Sequence, residues 1–216
     1  AWLFYGVFAL AAMWYAPRHI PVKLERFEPT LPAPQAMDMQ AWWQHDWSTL
    51  PARRNEFDDD QRWPLDVQVA GPLAPLQAQL EARGWKRQEQ AGWQEALLML
   101  DKNTGADQLP VLPATLETRV EALLMVRQGA QPDERYVLRL WPAPAQLQPG
   151  DTPLWLGSAQ TLRYERHFEW IGMWHPLRGV DPAMNAVKEA VHGLPQREDV
   201  HGETGLPVLR LKTTAR

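Results

Sequence analysis

Leu65, Val67 and Val69 alternate with Asp66 and Gln68, and the next apolar positions, Leu73, Leu76 and Leu80, lie three and four residues apart. The first spacing predicts a half-buried strand and the second an apolar helix face. Gly71-Pro72 separates the two, and Gly84, just before Trp85, is placed to stop the helix. The pentapeptide EALLM occurs twice, at 95–99 and at 121–125. We read the first copy as helical, ending near Asn103-Thr104-Gly105, and the second as a strand, because strand patterning continues after it. Residues 135–141 (RYVLRLW) and 154–164 (LWLGSAQTLRY) alternate on either side of Gln148-Pro149-Gly150-Asp151. With 121–127 they predict an antiparallel meander. In it Arg139 is placed to pair with Glu121 across adjacent strands, a structural ion pair. Asp181-Pro182 offers an N-cap and a first-turn proline to a helix whose apolar face is Ala183, Met184, Val187, Ala190 and Val191, with Gly193 at its end. Residues 208–213 read as a last strand. Near the start, Asp38 caps a short helix that places Trp43 and Trp47 on one face, and 53–62, with Asp58-Asp59-Asp60, reads as a charged turn.

The first residues follow another pattern. Residues 1–16 carry no charge, hold Trp2, Phe4, Tyr5, Phe8, Trp14 and Tyr15, and give way to Pro17-Arg18-His19. At 1.5 Å per residue this stretch spans only about 24 Å of a bilayer core about 30 Å thick. It predicts the end of a transmembrane helix that begins upstream, and a first residue Ala1 rather than Met agrees with that. Trp14 and Tyr15 would sit at headgroup level, and Arg18, Lys23 and Arg26 favour the cytoplasmic side. A signal-peptide remnant cleaved near Ala9-Leu10-Ala11 would want a basic leading segment, and a buried core helix would have to bury bulky rings all round.

The element order predicts an α+β fold: one transmembrane helix end followed by a mostly antiparallel sheet with helices packed on one face. The parts are 1–16, the helix end; 17–36, a Pro-rich juxtamembrane linker; 37–175, a soluble domain; and 176–216, a C-terminal helix–strand extension.

Composition narrows the function. Net charge is −4 with no basic block, so no nucleic-acid partner is predicted. The absence of cysteine excludes disulfides, thiolate zinc sites and cysteine nucleophiles. The chain has no Gly-x-Ser-x-Gly elbow, no His-Glu-x-x-His helix and no Gly-x4-Gly-Lys loop. We therefore predict no catalytic residue and no cofactor. The candidate metal ligands are His167, Glu169 and His175, with His192 or His201 as further ligands. The competing reading is a solvated strand edge with ordinary surface histidines. Asp58-Asp59-Asp60 reads as a hydrated turn. Trp42, Trp43 and Trp47 admit a core, a membrane-interface or an interaction-patch reading.

Several segments, in order, carry a resemblance: MDMQAWWQHDW (37–47), LPARR (50–54), PLDVQVAG (64–71), the Leu-rich helix ending Gly84-Trp85, LPVLPA (109–114), EALLMVR (121–127), YVLRLWPA (136–143) and TPLWLGS (152–158). Together, over roughly 37–170, they resemble the LssY C-terminal domain of bacterial membrane proteins. That resemblance implies a domain that follows DedA-type or type-2 phosphatidic acid phosphatase membrane modules, with 1–16 as the last helix of such a module in the bacterial inner membrane. It supplies no catalytic residues. Many members carry a His-Asp-Gly-Arg-like stretch before EAL, where this chain has 115–120 (TLETRV) and keeps only the Arg. The phosphatase signatures, Lys-x6-Arg-Pro, Pro-Ser-Gly-His and Ser-Arg followed by His and Asp, are absent.

The functional expectation is a non-catalytic, membrane-attached, cytoplasmic domain, an accessory, regulatory or ligand-binding module of a lipid-phosphate phosphatase-type membrane protein. Its partners would be the membrane and the upstream module of the same polypeptide. The alternatives are a metal-assisted hydrolase using His167, Glu169, His175 or Glu117, and a periplasmic structural or secretion-accessory domain.

Overall fold

The computed structural model describes Gly6, Val7, Leu10, Ala11, Trp14 and residues 32–55, 62–92, 95, 97–101, 103–167, 171–177 and 182–213. The chain divides into two units, Ala1–Pro32 and Ala33–Arg216. In the first, the described residues are helical up to Trp14 and exposed. No helix among the described residues is long and apolar enough to cross a membrane.

The second unit runs β1 (Gln35–Asp38), α1 (Met39–Gln44), a 3-10 turn (Asp46–Thr49), β2 (Arg53–Asn55), β3 (Arg62–Pro64), β4 (Val67–Ala70), α2 (Leu73–Glu81) and β5 (Lys86–Arg87). A second 3-10 turn (Leu98–Leu100), β6 (Thr115–Leu116), β7 (Arg119–Val120), β8 (Leu123–Gln128), β9 (Glu134–Gln148) and β10 (Thr152–His167) follow. The chain closes with β11 (Ile171–Pro176), α3 (Pro182–Ala190), β12 (Gln196–Val200) and β13 (Pro207–Lys212).

The meander read from alternation is present: β8, β9 and β10 are consecutive antiparallel neighbours. Long alternation makes β9 and β10 long strands, and each serves different neighbours at its two ends. The early part of β10 pairs antiparallel with β4, and its end pairs with β11. The end of β9 takes β1 in parallel. Next to β4 lies β13, parallel, and then β12, antiparallel to β13. The architecture is a mostly antiparallel α+β fold, as the pattern predicted. Gln35 and Ala36, assigned to the linker, already belong to β1, while α3 and β13, assigned to an extension, are built into the core and the sheet.

Side-chain parity sorts the core. Val67 and Val69 on β4, Met125 on β8, Leu138 and Leu140 on β9 and Ala159 on β10 face α2 and α3. Leu76 and Leu80 of α2 and Ala183, Val187 and Ala190 of α3 fill that layer, as their helical spacing predicted. The α2 helix ends in a Schellman motif: the N–H of Trp85 donates to Leu80 C=O (3.1 Å) and that of Gly84 to Glu81 C=O (3.0 Å). Gly84 sits at φ 82°, in the left-handed region this motif requires.

Two expectations are corrected. The β4 strand is buried on both faces, because Gln68 is not solvated: it accepts a hydrogen bond from Trp42 Nε1–H (2.9 Å) and donates to Trp47 C=O (3.1 Å). And the helices do not all pack on one face. The α1 helix covers the opposite face, where Trp42 and Trp47 join Trp141, Leu147, Leu154 and Leu156. Asp38 caps α1 as predicted, accepting from Gln40 and Ala41 N–H. The helix stops at Gln44 and continues as a 3-10 turn, so Trp42 replaces Trp43 as the inward partner of Trp47. Trp43 is half-buried beneath Arg197, Arg210 and Lys212. Arg210, wholly buried, lies over the Trp47 ring at 4.6 Å and pairs with Asp199, tying β12 and β13 to the α1 side.

Gly157 lies opposite Leu140 where β10 is flanked by both β9 and β4. A Cβ there would meet Leu140 Cδ2 at 2.4 Å and the Arg139 carbonyl oxygen at 2.5 Å. The carbonyl is fixed in the ladder and cannot yield. Gly157→Ala is expected to destabilise the domain by about 1–3 kcal/mol, read from urea unfolding. A change under about 0.5 kcal/mol would mean that the β9–β10 contact is looser than described.

Candidate functional site

On the α1 face of the sheet, the inward positions of β10 read Leu154, Leu156, Ser158, Gln160, Leu162, and those of β9 read Val137, Arg139, Trp141. The apolar ends of these rows belong to two separate clusters. Between them lies a polar strip: Arg139, Ser158 and Gln160, with Arg54 from β2 and Glu121 from the approach to β8, all buried. A cavity of about 260 Å³ opens on this strip, lined among others by Arg54, Arg139, Gln160, Leu162, Trp174 and His175.

Its remaining wall is the LPVLPA segment. Pro110 and Pro113 lack N–H groups and deny this stretch a strand ladder. Side chains from the sheet satisfy its backbone instead. Gln88 donates to Val111 C=O (2.8 Å) and accepts from Val111 N–H (3.0 Å). Arg139 donates to Leu112 C=O (2.8 Å) and Trp141 to Ala114 C=O (2.9 Å). Arg135 (2.7 Å) and Trp174 (3.1 Å) both donate to Leu109 C=O, with the Arg135 guanidinium 4.5 Å from the Trp174 ring centre. Side chains thus take the place of a strand partner along this aperiodic segment.

Glu121 and Arg139 form the ion pair expected from the sequence, at 2.6 Å, with side chains 1% and 8% exposed. Burial pushes the Glu121 carboxyl above its ordinary value of 4.5, against the opposing pull of Arg139, the Ala114 N–H and Arg54. Arg54 lies 5.6 Å from the Trp141 ring centre. The guanidinium groups of Arg139 and Arg54 both act on the Glu121 carboxylate. Gln160 Nε2, Ser158 Oγ and Glu121 Oε1 are buried and have no hydrogen-bond partner among the described residues. Leaving such an atom unsatisfied costs about 1–3 kcal/mol, and of the three residues Gln160 lines the cavity, where an occupant could pair with its amide.

A second group lies at the far end of β10. His167 and His175 approach with their Nε2 atoms 3.0 Å apart and their rings edge to face. The carboxylate beside them is Glu165, and the three ligating atoms all lie within 4.8 Å of one another. Glu169, the carboxylate expected from the sequence, lies outside the described residues. The group contains neither His192 nor His201. His192 is exposed, while His201 is committed elsewhere: its Nε2 donates to Ser48 C=O (3.1 Å), its Nδ1 accepts from Glu203 N–H (3.1 Å), and it meets the Trp47 ring edge to face. Glu117 pairs with Arg119 at the β6–β7 turn. Of the membrane-interface candidates, Trp14 is described, and Tyr15, Arg18, Lys23 and Arg26 lie outside the described residues, as do Asp58, Asp59 and Asp60.

Sequence reasoning missed Arg54, Ser158 and Gln160. For the last two a signal existed, since both occupy inward positions in a row that begins with Leu154 and Leu156 and ends with Leu162.

The model of a protein family described as LssY C-terminus matches residues 47–179. That span includes β2 to β11 and every residue named as lining the cavity. No curated protein matches the chain, and no solved structure matches it.

Proposed function

The chain belongs to the LssY C-terminus family, and from that premise we propose that it is a non-catalytic ligand-binding domain held at a membrane by its N-terminal segment. The observation that carries the binding role is the cavity over Arg139 and Gln160, where a buried amide N–H has no partner among the described residues and the Arg54 and Arg139 side chains are in the lining. An anionic headgroup on an apolar body suits it: the anion would accept from Gln160 and face Arg54 and Arg139, and the body would lie against Leu109, Leu162 and Trp174. A phosphorylated lipid combines both parts, which agrees with a place beside a lipid-phosphate phosphatase module. The uncharged run at 1–16 and the basic flank of Arg18, Lys23 and Arg26 support attachment with the domain in the cytoplasm. The domain would then sense that lipid for the membrane module.

The test is calorimetric titration of the full chain with short-chain phosphatidic acid below its micelle concentration. Saturable binding is expected, weakened about 10-fold or more in Gln160→Leu, since a lost hydrogen bond to a charged group is worth about 1.5–3 kcal/mol. Absence of saturable binding, or equal binding by the variant, would overturn the proposal.

A further inference from the structure

We propose that Glu165, His167 and His175 form a divalent transition-metal site, with zinc as the fitting ion. This does not depend on the ligand-binding role above. The cluster has the donor set for a borderline ion: two imidazole nitrogens and one carboxylate oxygen. Two nitrogens 3.0 Å apart can both reach one ion at about 2.0–2.1 Å, and they need to part by only about 0.3 Å for a tetrahedral angle. Glu165 Oε2 lies 3.9 Å from His167 Nε2 and comes into range by side-chain rotation.

The scaffold favours a fixed site. All three side chains stand on β10 and β11, which are paired in unbroken antiparallel register from Leu162↔Pro176 to His167↔Ile171. Ligands carried on paired strands are held more exactly than ligands on loops. Arg163, directly across from His175, is hydrogen-bonded to Glu134 (2.7 Å) and also feels the Glu165 carboxylate. Glu165 and His167 are half-exposed, which gives an ion its way in. Three protein ligands leave a fourth position for water or an added group.

The experiment uses the full chain freed of metal with chelator. Zn²⁺ is titrated by calorimetry, and Co²⁺ is followed by its visible absorption. One Zn²⁺ per chain is expected, with a rise in Tm on binding and intense Co²⁺ bands of imidazole ligation. His167→Gln/His175→Gln should abolish the binding, Glu165→Gln should weaken it about 10-fold, and His192→Gln, an exposed control, should leave it unchanged. Circular dichroism without metal checks that each variant is folded. A wild-type protein that binds no Zn²⁺, a Co²⁺ spectrum like that of the aqueous ion, or undiminished binding in the folded double variant would each overturn the proposal.

Discussion

Trp42→Ala is expected to lower the unfolding free energy by about 3–5 kcal/mol. The ring is wholly buried between the sheet and α1, packed with Trp47 and Trp141. Its removal leaves a cavity that β4 and β9 cannot close, because both are held in the sheet from either side. It also strips the indole donor from Gln68 Oε1, which is then buried without a partner. Trp42→Phe separates the two effects, retaining most of the packing while losing the hydrogen bond, and should fall near the lower end of about 1–3 kcal/mol. Urea unfolding followed by circular dichroism reads both. The same pair decides what the tryptophan cluster is for. A core tryptophan moves stability, whereas a ring that docks on a membrane moves vesicle affinity and leaves stability in place. A Trp42→Ala protein as stable as wild type would contradict the packing described.

The second large effect concerns Glu121 and Arg139. Breaking a buried ion pair from one side costs about 3–5 kcal/mol, because the survivor stays in low dielectric uncompensated. The two sides are not equivalent. A stranded guanidinium cannot shed its proton, whereas a stranded carboxyl can take one up. Glu121→Leu should therefore cost more than Arg139→Met, although the latter also frees Leu112 C=O from its donor. The double variant should cost well under the sum, since it removes both charges together. Stability should also depend on pH through Glu121. Its carboxyl is raised in the native state, so the native protein holds this proton to higher pH than the unfolded chain does. The contribution is greatest below the ordinary value of 4.5 and is lost as pH rises through the folded value. Glu121→Gln should remove that slope. An unchanged pH profile in the variant would contradict a raised Glu121 carboxyl in the native state.

What the chain discloses in advance depends on how local each feature is. The β8–β9–β10 meander is legible because alternation runs unbroken through 135–141 and 154–164, and the turn between carries Pro149 and Gly150. The α2 and α3 helices are legible from Leu76 and Leu80 and from Ala183, Val187 and Ala190. By contrast, the parallel union of β13 with β4 joins segments about 140 residues apart, and nothing in either segment names its partner. The β12 strand is almost wholly exposed and reads QREDV, so no apolar row betrays it. The double burial of β4 was hidden by Gln68, whose amide looks solvent-facing until Trp42 and Trp47 supply its partners.

The candidate site divides the same way. The pairing of Arg139 with Glu121 followed from strand adjacency. Ser158 and Gln160 were readable by parity as polar groups pointed inward, but Arg54 was not, because it stands in the three-residue strand β2, Arg-Arg-Asn, which has no apolar alternation to mark an inward position. His167 and His175 are close in sequence, yet their carboxylate neighbour is fixed by the β10–β11 pairing, which places Glu165 beside them. The LPVLPA segment has no periodicity at all. Its role as a wall becomes visible only when Gln88, Arg139 and Trp141 are seen to hold its backbone.

A ligand-binding domain held at the cytoplasmic face of a membrane is the central claim, and membrane topology tests it most directly. The chain contains no cysteine, so Asp59→Cys gives a single reporter in the charged segment between β2 and β3 once any cysteines elsewhere in the intact protein are removed. In cells whose outer membrane admits a charged, impermeant maleimide, the expected result is no labelling until the inner membrane is opened, and full labelling afterwards. Labelling of the Asp59→Cys variant in cells with an intact inner membrane would place the domain on the periplasmic side and contradict the claim.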